Sequence, residues 1–101
     1  MIFAMVSSIS PFEEDPSNFV RRDYSDKEKD ILLEYMRSFT MNAAGGYIWD
    51  CVEGKELRQA NVGFEDDTYM WSTQDIYHVE NYNAAVKDDF LKRAISKGIT
   101  Q

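Results

Sequence analysis

The feature that most constrains the fold is the shortness of the loops between three strand-like runs in the middle of the chain. Residues 47–52, 57–64 and 68–71 read as strands, and the first of these runs is rich in the β-branched and aromatic residues that favour them. A loop at residues 53–55 joins the first two runs, and an acidic turn at residues 65–67 joins the last two. Parallel pairing needs a crossover of about a dozen residues or more. The sequence therefore predicts a three-stranded antiparallel meander.

A serine-led motif predicts a helix before the meander. Ser25 and Glu28 fit a capping box, in which a hydroxyl and a carboxylate three residues apart each satisfy a backbone amide at the helix start. The helix is expected to run from Ser25 to about Phe39 with one apolar stripe. The stripe consists of Leu32, Tyr35, Met36 and Phe39. Residues 43–46, which end in two glycines, are then expected to form a turn, because glycine tolerates positive φ.

Two more helices are expected after the meander. Ser72 and Asp75 form a second box-like cap, for a helix that ends near residues 81–83. A last helix is expected over about residues 87–97, with acids in its first turn, bases late and Gly98 as its stop. Its apolar stripe consists of Phe90, Leu91, Ala94 and Ile95.

The predicted fold class is therefore α+β, a three-stranded antiparallel meander flanked by about three helices. The 101 residues suit one core, so a single domain over residues 1–101 is expected. The apolar run at residues 2–6 leaves an additional N-terminal strand open. Residues 8–18 carry both prolines around an acidic cluster, which predicts an irregular segment.

Composition predicts a soluble protein of a reducing cytoplasm. Cys51 is the sole cysteine, so no disulfide within the chain is available. No lysine or arginine precedes Arg21, and the apolar start is shorter than the core of a signal peptide. No stretch approaches the length of about 18 uncharged residues that would predict a membrane span.

The net charge of −7 bears on the kind of partner. Such a surface repels a phosphate backbone, so direct nucleic-acid binding is disfavoured. A basic protein would instead be attracted over long range. Simple solubility is the alternative explanation, and the charge alone does not decide between the two.

Candidate catalytic and metal-binding residues are few. Cys51 and His78 are a conceivable thiolate and base, but Cys51 lies in a strand-like run where a small buried residue is the ordinary role. Asp75 and His78 supply only two ligands, whereas a zinc site needs three or four from the protein. The acidic turn at residues 65–67 lacks the ligand spacing of a calcium loop. We therefore expect no metal, no cofactor and no enzyme activity, although a spatial pair of carboxylates remains an alternative.

The remaining signal is aromatic. The chain has six Tyr, six Phe and two Trp, and six of the Tyr and Trp rings lie between residues 47 and 82. They are Tyr47, Trp49, Tyr69, Trp71, Tyr77 and Tyr82. Tyr and Trp dominate the energetic centres of interfaces, and core packing is expected to hold most of the rings. The predicted contact residues for a protein partner combine the acidic turn with the next rings. They are Glu65, Asp66, Asp67, Tyr69 and Trp71.

Residues 64–91 follow a recognisable order of motifs: an acidic turn at residues 65–67, a strand ending in Trp71, a helix bearing Tyr77 and Tyr82, and a closing helix with Asp89 and Phe90. This order resembles the C-terminal part of small bacterial immunity-type proteins. Such proteins neutralise a cognate toxin by binding it, often across a basic active-site cleft. The resemblance implies the same role here.

The sequence thus predicts an immunity or inhibitor protein that binds and blocks a toxin, a basic nuclease being one candidate. Two alternatives remain open at this stage. One is a phage-type inhibitor such as an anti-CRISPR protein, which would present acids to a nucleic-acid channel, and the other is a small carboxylate-dependent enzyme. No membrane partner is expected. The identity of the partner and the oligomeric state do not follow from the sequence.

Overall fold

A computed structural model describes residues 10–12, 20–39, 43–66 and 68–99. Within them the chain forms an α+β fold, as predicted, with three helices and one three-stranded sheet. In chain order the elements are α1 (Asp26–Arg37), β1 (Ala43–Asp50), β2 (Lys55–Glu65), β3 (Met70–Ser72), α2 (Thr73–Tyr82) and α3 (Asp88–Ile99). The open question of a strand at residues 2–6 and the acidic cluster at residues 13–15 lie outside the described residues.

The sheet has the order β1-β2-β3, and both neighbouring pairs are antiparallel, which confirms the predicted meander. Asp50 pairs with Lys55 at the tip of the first hairpin, and Phe64 pairs with Trp71 between β2 and β3. The first hairpin turns over residues 51–54 rather than 53–55. Gly54 closes that turn at φ 66°, and its amide donates to the carbonyl of Asp50 at 2.8 Å.

The turn predicted at residues 43–46 is wrong, because β1 begins at Ala43. Ala43 and Ala44 pair with Gly63 and Val62 in the sheet. The register shifts between Ala44 and Tyr47, where Gly46 adopts a φ of 67°. Glycine is therefore used here to admit an irregularity within a strand, and the strand continues through it.

Both predicted helix caps are present. The Ser25 hydroxyl accepts from the amide of Glu28 at 3.1 Å, and the Ser25 amide donates to the Glu28 carboxylate at 3.0 Å. At α2 the Ser72 amide donates to the Asp75 carboxylate at 2.8 Å, while the Asp75 amide donates to the Ser72 hydroxyl at 3.4 Å. The shorter Asp therefore completes the second box. The last helix runs to Ile99, so the predicted stop at Gly98 is one residue early.

The core lies where α1 and α3 meet β3 and α2. The Trp71 side chain is 2% exposed, and its indole nitrogen donates to the carbonyl of Met36 at 3.0 Å. Its ring meets Phe39 and Phe90 edge to face, with centroids 5.6 and 5.3 Å apart. Edge-to-face pairs stabilise by about 0.5 to 1.5 kcal/mol beyond area burial. The predicted core stripes are confirmed, since Leu32, Met36, Phe90 and Ala94 are fully buried.

A segment before α1 lies along the connection between α2 and α3. The Tyr24 hydroxyl donates to the carbonyl of Ala84 at 2.6 Å and accepts from the amide of Val86 at 3.0 Å. Isolated bridges join Arg21 to Ala84 and Phe12 to Val86. These contacts fix the end of α2, on which the candidate site depends. No helix among the described residues is both long and apolar enough to cross a membrane.

Candidate protein-binding surface

The exposed aromatic rings of the described chain lie on the first hairpin. Tyr47 is 53% exposed, Trp49 is 46% exposed and Val52 in the adjoining turn is 42% exposed. We call these three side chains the hairpin surface. The other large hydrophobic side chains with comparable exposure are Val20 before α1 and Met70 in β3. Among the described residues, the hairpin surface thus brings two exposed aromatic residues within two positions of each other in the sequence.

The exposure follows from the alternation of β1. Successive side chains of a strand point to opposite faces, and here Tyr47 and Trp49 are exposed while Ile48 and Asp50 are buried. The burial of Asp50 is unusual, because a carboxylate is costly to bury without partners. The partners of Asp50 therefore explain why Trp49, and not the carboxylate, faces out.

Asp50 is held by four hydrogen bonds. Its Oδ1 accepts from the amides of Val52 and Glu53, both at 2.8 Å, which fixes the hairpin turn. Its Oδ2 accepts from the hydroxyls of Tyr77 at 2.7 Å and Tyr82 at 2.6 Å, both on α2. One fully buried side chain thus connects the end of β1, the turn and the helix.

The same contacts set the protonation of this group. Burial acts to raise the pKa of the Asp50 carboxyl, but the bonds from Tyr82, Tyr77 and the two turn amides outweigh it and hold that pKa below its usual range. The hydrogen bond to Asp50 in turn raises the pKa of the Tyr82 hydroxyl and that of Tyr77. Both phenols consequently remain donors, and Asp50 remains an ionised acceptor.

Two further side chains of α2 bind the backbone of β1 and its turn. The Trp49 amide donates to Oε1 of Gln74 at 2.9 Å, and the Cys51 amide donates to Nε2 of His78 at 3.0 Å. Gln74 and His78 are four residues apart and so lie on one face of the helix. Two amides that are two residues apart in β1 and its turn are thus each held by a side chain on a successive turn of α2. Both hydrogen bonds fix the backbone that carries Trp49.

The hydrogen bonds of His78 bear on the hypothesis that Cys51 and His78 act as a catalytic thiolate and base. His78 Nε2 accepts from the backbone amide of Cys51, and Nδ1 lies 2.7 Å from the carbonyl of Gln74. An accepting Nε2 places the ring proton on Nδ1, where it donates to that carbonyl. In this arrangement the imidazole holds the hairpin backbone. Asp75 is engaged as a helix cap, and no group of three or more His, Cys, Asp or Glu among the described residues is placed to hold a metal ion.

The structure describes four of the five predicted contact residues and buries the side chains of three of them. Glu65 is exposed, whereas Asp66 is 4% exposed in its side chain, and Asp67 lies outside the described residues. Tyr69 and Trp71 are core residues at 9% and 2% exposure. The expectation that their rings form an exposed docking face is therefore wrong, because α1 and α3 cover them. A binding role for Glu65 stays a prediction.

Asp66 has a structural role like that of Asp50. Its Oδ1 accepts from the amides of Thr68 at 2.8 Å and Tyr69 at 2.6 Å, and its Oδ2 accepts from the Tyr35 hydroxyl at 2.7 Å. Burial acts to raise the pKa of Asp66, but these donors, with Arg93 nearby, hold it below its usual value. An aspartate that caps a turn and receives a tyrosine hydroxyl is thus used twice in this fold.

Sequence reasoning grouped Tyr47 and Trp49 with the other rings but did not select them as contact residues. The available signal was their alternation with Ile48 and Asp50, which assigns the two rings to one face. That pattern does not tell which of the two faces is exposed to solvent. The charged Asp50 would suggest that its own face is exposed, whereas the structure buries that face and exposes the rings. Comparisons of the chain with protein families, curated proteins and solved structures find no match.

Proposed function

We propose that this chain is an immunity or inhibitor protein that binds a toxic protein and blocks it, with the hairpin surface as the centre of contact. The observation that carries the proposal is that β1 exposes two large aromatic rings, Tyr47 and Trp49, two residues apart. Tyr and Trp are enriched among interface residues that dominate binding energy, because they combine large area with a polar group. The choice of a toxin as the partner comes from the resemblance of residues 64–91 to immunity-type proteins.

Charge supports a basic partner, although it acts mainly at a distance. The whole chain carries −7, which steers a positively charged protein toward it and raises the association rate at low salt. At the hairpin itself the charges are balanced, since Lys55 pairs with Glu53 at 3.0 Å and the exposed Glu56 and Arg58 follow. We therefore infer that the net charge attracts a basic partner over long range, and that the rings of the hairpin surface make the close contacts once the two proteins meet.

The fixed backbone beneath the rings supports a binding role as well. Asp50, Gln74 and His78 hold β1 and its turn against α2. A surface that is already ordered loses less conformational entropy when it binds, so more of the contact energy appears as affinity. This arrangement suits a protein that must occupy its partner tightly.

The test begins with the product of the adjacent reading frame. We expect that product to be toxic when expressed alone, and to co-purify with this chain at low salt. Tyr47→Ala and Trp49→Ala should each weaken the complex by at least about tenfold, a typical loss at the centre of an interface.

Met70→Ala is the matched control. Met70 is also an exposed apolar side chain of the sheet, but it lies on β3 at 39% exposure. Its replacement should leave the affinity within about twofold, as most surface contacts do. A product of the adjacent reading frame that is neither toxic nor bound by this chain would contradict the proposed function. Binding that persists when both Tyr47 and Trp49 are replaced would show that the hairpin surface is not the centre of contact.

A further inference from the structure

A small recess opens between α2 and the sheet, at the edge of the core. Its volume is about 150 Å³, and buried Ile48, Phe64 and Ile76 contribute to its lining. The rim is polar and includes Tyr77 and Glu80. A cavity of about this size accommodates a group as large as benzene in other proteins. The recess is therefore large enough for one side chain of a partner.

A wider groove adjoins the recess between α1 and α2. Its volume is about 640 Å³, and it is lined by the carboxylates of Asp30, Glu34 and Glu80 against the single cation of Arg37. Glu80 and Arg37 line both cavities. The groove thus carries a surplus of negative charge, and it meets the apolar recess at one ion pair.

That ion pair is easily rearranged. Arg37 and Glu80 approach to 2.7 Å, but each side chain is 49% exposed. Exposed pairs of this kind contribute little to stability, because water screens them and both side chains lose freedom. A cation brought by a partner can therefore replace Arg37 beside Glu80 at little cost.

We propose that the recess and groove together receive a long basic side chain, arginine or lysine, of a protein partner. The alkyl stem would lie against Ile48, Phe64 and Ile76, and the charged end would reach Glu80 and the neighbouring acids. Arginine and lysine commonly bury their stems along apolar surface and keep the charge in a polar setting. This inference depends on the proposed function in one respect, namely that the partner is a basic protein.

Charge and shape select this occupant over others. An acidic side chain would be repelled by the three carboxylates of the groove. A purely apolar side chain would fill the recess but would gain nothing from the surplus negative charge of the groove. Only a side chain that is apolar along its length and positive at its end matches both cavities.

The test uses small probes, so it does not depend on finding the partner. The full-length chain, labelled with nitrogen-15, is titrated with n-butylguanidinium and n-butylammonium at constant ionic strength, and 1-butanol serves as the uncharged control. We expect the cations to shift the amide signals of residues 33–38 and 73–80 with saturation, and 1-butanol to shift them less. Equal shifts with 1-butanol, or shifts scattered over acidic residues elsewhere, would overturn the proposal.

Matched variants sharpen the result. Glu80→Gln should weaken binding of the cations by about threefold, as loss of one exposed charge contact does. Glu56→Gln removes an exposed acid on β2 that lines neither cavity, and it should leave the affinity unchanged. An unchanged affinity in Glu80→Gln would overturn the role of the groove. Failure of the probes while the toxin still binds would discard this inference alone, whereas loss of toxin binding with intact probe binding would discard the proposed function.

Discussion

The Tyr82 hydroxyl donates a hydrogen bond of 2.6 Å to Oδ2 of Asp50, and so joins the last turn of α2 to the end of β1. The two residues are 32 positions apart in the chain. Because Asp50 also caps the hairpin turn, this bond couples the turn that carries Val52 to the helix behind it. The exposed rings of the hairpin surface thus depend on a carboxylate that is itself fully buried.

Asp50→Asn should destabilise the fold markedly. The new NH2 group would face either the turn amides, which cannot accept, or the hydroxyls of Tyr77 and Tyr82, which would have to stop donating and accept instead. We expect the melting temperature to fall by about 10 °C, the order of loss that an unsatisfied buried polar group causes in a domain of this size. Circular dichroism during heating measures it. Asp30→Asn is the control, because Asp30 is exposed, and a similar loss there would contradict the argument.

The depressed pKa values predict the direction of the pH dependence. The folded-state pKa values of Asp50 and Asp66 both lie below the unfolded value of about 3.9. The stability from each is therefore fully present above that value and is lost as the pH falls toward the folded pKa. Urea midpoints measured between about pH 2 and 7 should decline steeply below about pH 4. The decline should be shallower in Asp50→Asn, and an unchanged slope would count against the depressed pKa.

Tyr35→Phe tests the second buried carboxylate. The change removes the hydroxyl that donates to Asp66 at 2.7 Å and retains the ring that packs on Phe90. The cost should be roughly 1 to 2 kcal/mol, since Asp66 keeps its two backbone donors. Urea denaturation gives the value. Tyr47→Phe makes the same chemical change on an exposed ring and should cost less than about 0.5 kcal/mol.

The two tryptophans should differ sharply. Trp71→Ala removes a core ring and should cost about 3 to 5 kcal/mol, a large part of the stability of a domain of this size. Trp49→Ala removes an exposed ring and should stay within about 1 kcal/mol of the parent, because the backbone amide that binds Gln74 remains. Thermal and urea unfolding of both variants measure the contrast. Comparable losses would mean that the two rings are not placed as described.

Sequence patterns predicted the features that depend on neighbouring residues. The two serine caps and the meander follow from short motifs and loop lengths, and both are present. The patterns did not predict which face of the sheet is covered, because that depends on where α1 and α3 pack. Trp71 was therefore predicted as a contact residue and lies in the core, whereas Trp49 was not selected as a contact residue and is exposed. Asp50 was missed as well, since its partners Tyr77 and Tyr82 adjoin it only in the folded chain.

The two adjacent glycines of β1 offer a matched test of how the strand is built. Gly46 has a φ of 67°, which a residue with a Cβ adopts only with strain, whereas the φ of Gly45 lies outside that region. A Cβ at either position would meet no atom within 4 Å, so backbone strain is the only structural difference between the substitutions. Gly46→Ala should lower stability by about 1 to 2 kcal/mol. Gly45→Ala should be neutral or slightly stabilising, because it restricts the unfolded chain without strain in the folded one. Equal changes in the free energy of unfolding for the two variants, measured by urea denaturation, would show that the irregularity in β1 does not require a positive φ at residue 46.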